Sequence, residues 1–246
     1  MTSLEVGVDE AGRGPVIGPL VVCALGIPEE DRGILKEIGA DDSKKMSKKK
    51  RVAIYEKIVS LSLERAWKIS KVVCGPERID ASLPSENLNA LEVKLFSEAI
   101  KGVCKSSNCK LILLDACDVN AVRFGNGVSS ELGRNWSDCE IVSEHGMDGK
   151  DVVVGAASIV AKVIRDKEME MISSEIGIDC GSGYPSDPKT KIAVIELCRG
   201  ENPHGCLRWS WSTTKVAWEN IHQLPIPERS SKGIIHSQFT LDQWKQ

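Results

Sequence analysis

The segment that most constrains this chain is its first strand-like run. Leu4, Val6 and Val8 alternate with other residues, the period of a strand with one apolar face. The run continues into two acids, Asp9 and Glu10, and then into Ala11-Gly12-Arg13-Gly14. Neighbouring side chains of a regular strand point to opposite faces, so the two carboxylates converge only if the chain bends at Glu10. The glycines directly after it permit such a bend. Acids at a strand end bind a hard cation, and a glycine-flanked arginine beside them lets a polyanion backbone come close. The combination points to metal-assisted work on a phosphodiester.

The rest of the chain is compatible with a soluble enzyme. Its 246 residues suffice for one large domain plus a small appendage. The longest apolar run, Val16 to Ile27, is interrupted by Gly18 and Pro19 and is too short to span a bilayer. Glu5, Asp9 and Glu10 stand where the core of a cleavable signal would be, so a cytoplasmic location and no membrane are expected. The nine cysteines are odd in number and scattered, which predicts reduced thiols. A net charge of −3 argues against coating of nucleic acid by the whole surface but leaves room for a local basic groove.

In order along the chain, residues 16 to 26 read as a second strand, joined to the first by a Gly12–Pro15 turn. Residues 28 to 46 read as a polar connection. Ser47 is an N-cap for a helix in which Ile54, Tyr55, Ile58 and Val59 recur at helical spacing. Lys44, Lys45, Lys48, Lys49, Lys50 and Arg51 crowd the start of that helix, where cations oppose the dipole, and this favours a phosphate-facing role. Strands are expected over 66–74, 110–115 and 139–142, and helices over 87–103 and 152–172. Gly155, Ala156, Ala157 and Ser158 allow the last helix to approach a sheet closely. Strands alternating with helices give an α/β fold with an antiparallel portion at its start.

Three of these strands end or turn near acids: Asp9 with Glu10, then Asp115, then Asp148. Such ends are where sites collect in α/β sheets. Four gathered carboxylates repel one another unless cations lie among them, which is the logic of a two-metal site with ions about 3.5–4 Å apart. Oxygen ligands select Mg²⁺ or Mn²⁺ over zinc. Asp118, Glu144 and Asp151 compete for the same role on this argument.

The run Val8-Asp9-Glu10-Ala11-Gly12-Arg13-Gly14-Pro15 resembles the signature of type 2 ribonucleases H, the ribonuclease HII family. So do Asp42-Ser43-Lys44-Lys45, Leu113-Leu114-Asp115, Ala156-Ala157-Ser158-Ile159-Val160-Ala161-Lys162 and Gly181-Ser182-Gly183-Tyr184-Pro185-Ser186-Asp187-Pro188. They stand in family order over about residues 4 to 215 and look most like archaeal members. The resemblance implies a ribonuclease H-like mixed sheet flanked by helices, with a C-terminal helical extension and tail. It implies a monomeric endonuclease that cuts the RNA strand of RNA–DNA hybrids and cuts 5′ of ribonucleotides embedded in duplex DNA. The ends left are 3′-hydroxyl and 5′-phosphate, and the work belongs to ribonucleotide removal in replication and repair. Carried over, Asp9, Glu10, Asp115 and Asp148 bind two Mg²⁺ or Mn²⁺ ions. Gly12, Arg13 and Gly14 grip the backbone at the ribonucleotide, and Tyr184 senses the RNA-to-DNA junction through the 2′-hydroxyl. Lys44 contacts phosphate, and Asn87 or Asn89 the DNA strand.

Residues 1–222 are thus expected to form the catalytic domain with its helical extension, and 223–236, with Pro225, Pro227 and Gly233, a linker. In residues 237–246, Gln238, Leu241 and Trp244 have the spacing of a sliding-clamp-binding peptide, with Leu241 and Trp244 on one helical face as anchors.

Overall fold

The structure is a computed structural model and describes residues 3–40 and 46–229. The apolar alternation of the first segment becomes β1 (Leu4–Ala11), which pairs antiparallel with β2 (Leu20–Pro28) from Leu4↔Pro28 to Ala11↔Val21. β3 (Lys68–Cys74) adds antiparallel to β2. On the other side of β1, β4 (Cys109–Asp115) and then β5 (Glu140–Glu144) add in parallel, for a sheet order β3-β2-β1-β4-β5. This is the mixed sheet expected, with β1 at its centre.

Strand alternation divides the core in two. Leu4, Val6 and Val8 face α4 (Leu88–Val103) and α5 (Ala121–Leu132), meeting Leu91, Leu95, Phe96, Phe124 and Val128. On the opposite face Val21, Cys23, Leu25 and Ile27 of β2 meet α1 (Arg32–Glu37), α2 (Lys48–Glu64) and α6 (Val152–Ile176). The short α3 (Pro76–Ser82) precedes α4. A third cluster joins Val16 and Ile17 to α7 (Pro188–Leu197) and α8 (Ser212–His222) through Val194, Leu207 and Trp218.

Three expectations change. The second strand starts at Leu20 rather than residue 16. Val16 and Ile17 leave the sheet instead, donating their N–H groups to the Gly183 carbonyl, while Ile17 bridges to Leu207. The connection at 28–46 contains α1, whose Leu35 is buried. The crowded cations at the start of α2 have acidic neighbours on α6: Lys48 pairs with Glu170 at 2.5 Å and Arg51 with Asp166 at 3.3 Å. These two pairs partly offset the unfavourable placement of cations at the helix start, while Lys44 and Lys45 lie outside the described residues. Ser47 caps α2 as expected, accepting from the Lys50 N–H.

Residues 223–229 lie against the domain. Ile226 packs on the third cluster, and Arg229 donates to the Gly205 and Leu207 carbonyls and pairs with Asp80 at 3.2 Å. No helix among the described residues is long and apolar enough to cross a membrane.

The feature that places the site is the closeness of α6 to β1. A Cβ on Gly7 would lie 2.5 Å from the Val153 carbonyl carbon and the Val154 nitrogen, so only glycine lets the helix seat there. We expect Gly7→Ala to destabilise the fold by about 1–3 kcal/mol, because backbone rather than a flexible side chain must move. Gly33→Ala, where an added Cβ meets nothing within 4 Å, is the control. Urea unfolding midpoints compare the two, and equal midpoints would refute the tight seating.

Candidate active site

β1 does not bend at Glu10. Its pairing with β2 stays regular through Ala11, and the chain turns at Gly12, whose φ is +92°. The alternation of a regular strand therefore carries into the acids. Asp9 falls on the α6 face with Gly7, and Glu10 falls on the α4 face with Val6 and Val8. The last ladder pair, Val8↔Leu114, makes Asp9 and Asp115 the next residues on adjacent parallel strands. Asp148 reaches the same point from the short turn Met147–Gly149 before α6. Asp9, Asp115 and Asp148 each offer a carboxylate oxygen within 4.8 Å of the others. Glu10 is grouped instead with Glu92 of α4 and Cys117. It still borders Asp9, and its charge raises the pKa of that carboxyl.

The electrostatics are those of a site short of positive charge. Burial pushes the Asp9 pKa well above the ordinary carboxylate value, with Glu10 and Asp115 adding to the rise, while a hydrogen bond from Ser158 opposes it. Burial likewise raises Asp115, followed by Asp148 and Glu10. The N–H groups of Gly146 and Met147, at 2.8 and 3.3 Å, fix one Asp115 oxygen and partly offset the rise. α6 adds one cation: Lys162 Nζ lies 3.7 Å from Asp148 and 2.7 Å from the Ser158 hydroxyl. An all-oxygen set that is buried and self-repelling suits a hard divalent cation.

The Gly12-Arg13-Gly14 loop is held from behind by the C-terminal segment. Arg208, fully buried, donates to the carbonyls of Gly12 at 2.5 Å, Arg13 at 2.8 Å and Gly18 at 3.0 Å. Its guanidinium stacks on Trp211, whose indole N–H reaches the Gly14 carbonyl at 3.3 Å. The Arg13 side chain turns to α4, where Glu92 and Asn89 accept its two terminal nitrogens. Tyr184 is 40 % exposed, and a Cβ on Gly14 would stand 3.5 Å from its ring. The loop and the tyrosine therefore share one wall. Arg165 lies 5.3 Å from the tyrosine ring centre and donates to the Ser182 carbonyl.

The rival acids have other employment. Asp118 is bound by Arg123 at 2.5 and 2.8 Å, Glu144 by Lys150 at 2.7 Å, and Asp151 caps α6 while pairing with Arg32. Asn87 caps α4 through its side-chain oxygen. His145 stands beside the Ala116 carbonyl at 3.3 Å. Lys44, Gln238, Leu241 and Trp244 lie outside the described residues.

The family model described as Ribonuclease HII matches residues 6–214, a span holding the acids, the glycine loop, Tyr184 and Arg208. The chain belongs to the ribonuclease HII family. A ribonuclease HII of Methanocella arvoryzae is 44 % identical over 220 residues, covering 87 % of this chain and 92 % of that relative. The crystal structure of ribonuclease H2 from Pyrococcus horikoshii aligns with a TM-score of 0.79 at 32 % identity, covering 90 % of this chain and all of the other. The ribonuclease HII in the PCNA complex from Archaeoglobus fulgidus aligns at 0.72 and 31 % identity, covering 85 % and 95 %. Membership makes the chain a ribonuclease H, an endoribonuclease hydrolysing phosphodiesters of RNA in RNA–DNA hybrids.

Sequence reasoning gave no role to Glu92 or Arg208 of this ribonuclease HII, and it read Ser158 only as a small residue and Lys162 only as part of a family motif. Glu92 carried a signal, because an acid four residues after Leu88 and one after Leu91 falls on the apolar stripe of a helix. Arg208 carried none, since its partners are carbonyls some 190 residues earlier.

The raised carboxyls set a pH dependence. Groups raised above 3.8 contribute stability that is complete below that value and lost as pH climbs through their folded-state pKa. Metal-free protein is thus expected to lose thermal stability as pH rises above about 4, with Mn²⁺ restoring it. Asp9→Asn should weaken both effects. Melting curves at several pH values, with Mn²⁺ and with chelator, would contradict this if Mn²⁺ protected the variant as well as the parent.

Proposed function

We propose that this ribonuclease HII cuts not only RNA tracts in hybrids but also single ribonucleotides embedded in duplex DNA, on the 5′ side, leaving 3′-hydroxyl and 5′-phosphate ends. Meeting of Asp9, Asp115 and Asp148 within 4.8 Å, beside a loop and tyrosine that share one wall, carries the reading. Asp9, Glu10, Asp115 and Asp148 would hold two Mg²⁺ or Mn²⁺ ions. Such ions lower the pKa of a bound water and stabilise the charge on the leaving oxygen.

What the chain itself supplies is position. Asp115, fixed by the Gly146 and Met147 N–H groups, presents its other oxygen in one orientation. Ser158 and Lys162, one turn apart on α6, keep Asp9 and Asp148 aligned and partly offset their charge. Arg208 takes up the inward carbonyls of Gly12 and Arg13, which leaves the outer side of that loop free for a sugar–phosphate backbone. Tyr184 offers a flat face to the sugar and a hydroxyl to the 2′-OH, the group that separates RNA from DNA.

Asp115→Asn is expected to remove most turnover while leaving hybrid binding measurable. A DNA duplex carrying one ribonucleotide, beside an all-DNA control with Mg²⁺, Mn²⁺ or chelator, should give one metal-dependent cut 5′ of the ribonucleotide. Tyr184→Ala should lose that cut by a larger factor than cleavage of long hybrid tracts. Equal losses on both substrates would remove the sensor role.

The same reading extends to the tail. Residues 1–222 form the catalytic unit, 223–236 link it to the tail, with 223–229 docked on the domain, and Gln238, Leu241 and Trp244 serve a sliding clamp in a protein that works as a cytoplasmic monomer. The clamp complex of the Archaeoglobus relative supports this. Deleting residues 237–246 should abolish clamp pull-down and spare hydrolysis. Retained pull-down would place the clamp contact elsewhere.

A further inference from the structure

The two acids of β1 face donor sets of different chemistry. Asp9 is grouped with the carboxylates of Asp115 and Asp148, whereas Glu10 is grouped with a carboxylate and a thiol. Glu10, Glu92 and Cys117 each offer one ligand atom within 4.8 Å of the others. Glu92 is fully buried and its Oε1 has no hydrogen-bond partner, although Oε2 accepts from Arg13. A buried carboxylate oxygen without a donor calls for an explanation, and a cation is one that the neighbouring sulfur and carboxylate can help to hold. Glu10 and Cys117 are only partly buried, so the group is not sealed from solvent.

We propose that Glu10, Glu92 and Cys117 form a second metal site, selective for a thiophilic divalent cation such as Zn²⁺, and that filling it draws Glu10 away from the hydrolytic site. Three protein ligands with a water completing a tetrahedron is an ordinary arrangement for Zn²⁺, with sulfur at about 2.3 Å and oxygen at about 2.0 Å. Those bond lengths require ligand atoms roughly 3.5 Å apart, within the 4.8 Å that bounds the separations of the three atoms. Mg²⁺ and Mn²⁺ prefer oxygen sets and stay with Asp9, Asp115 and Asp148. On binding, the Cys117 thiol gives its proton to solvent as the S–Zn bond forms, and Glu92, whose buried carboxyl holds a proton at neutral pH, gives up that proton as its O–Zn bond forms. Two carboxylates and a thiolate then face Zn²⁺ and the Arg13 guanidinium, and the charges balance. Metal binding at this site stands by itself; the inhibition rests on the proposed role of Glu10 in hydrolysis.

The test uses the full chain stripped of metal. Titration with Co²⁺, a spectroscopic substitute for Zn²⁺, should produce a thiolate-to-cobalt charge-transfer band in the near ultraviolet that Zn²⁺ displaces and Mg²⁺ does not. Cys117→Ser should abolish the band, while Cys206→Ser should keep it. In Mg²⁺-supported cleavage of a hybrid, Zn²⁺ should inhibit the parent at concentrations at least tenfold lower than it inhibits Cys117→Ser. Because that variant could misfold, a second readout uses unaltered protein: Zn²⁺ should slow alkylation of Cys117, located by mass spectrometry, with no effect from Mg²⁺. No sulfur band in the parent, a band that survives in Cys117→Ser, or alkylation of Cys117 indifferent to Zn²⁺ would overturn the site. A normal sulfur band with no Mg²⁺-dependent cleavage at all would instead count against the hydrolytic reading and leave the thiophilic site standing.

Discussion

Everything at the catalytic end of this molecule depends on α6 lying directly on β1. The strand has no side chain at Gly7, so the helix backbone takes the space that a Cβ would fill. That seating brings Ser158 and Lys162 onto Asp9 and Asp148. It also fixes the short turn before α6, from which Asp148 projects and from which two N–H groups hold Asp115. A helix standing one methyl group farther off would loosen all of these contacts together.

A second constraint ties the far end of the chain to the same place. Arg208 is buried without a carboxylate partner among its hydrogen bonds, and its donors go to three main-chain carbonyls of the 12–18 loop. Desolvation lowers its pKa to about 10, yet it remains charged at neutral pH. A charged fork is a strong donor to carbonyl oxygens, and removing it would leave them buried and unanswered. The loop of residues 12–18 is thus completed only when residues near 208 have docked. Asp80 secures that docking by accepting from the N–H groups of Trp209 and Ser210.

Much of this was legible in the sequence, for a physical reason. The alternation of Leu4, Val6 and Val8 and the apolar run before Asp115 report burial directly, and burial decides where strands lie. The acids at strand ends and the small residues of α6 followed from the same logic. What escaped was what long-range pairing decides. Val16 and Ile17 look like a strand in composition, but their N–H groups go to Gly183 rather than to a neighbouring strand. The cations of α2 look unfavourable until Glu170 and Asp166 are seen beside them. The rival acids Asp118, Glu144 and Asp151 separate from the metal-binding candidates only through their partners.

The expected bend at Glu10 is the most informative departure. A bend would have placed both β1 carboxylates in one oxygen cage. The regular strand instead sends them to opposite faces of the sheet, and at its end Glu10 still lies near enough to Asp9 to raise the pKa of that carboxyl. Asp9 is enclosed, with its charge answered from α6, whereas Glu10 is half-exposed and shares the α4 face with a buried acid and a thiol. Burying Glu92 disfavours its charged form and raises its pKa to about 8, even with Arg13 bound to it. A group so disfavoured is retained at a price in stability, and its two visible services are to orient Arg13 and to stand behind Glu10. The strand's period of two is therefore what encloses one acid of the pair among carboxylates on the α6 face and leaves the other, partly exposed, beside a buried acid and a thiol on the α4 face.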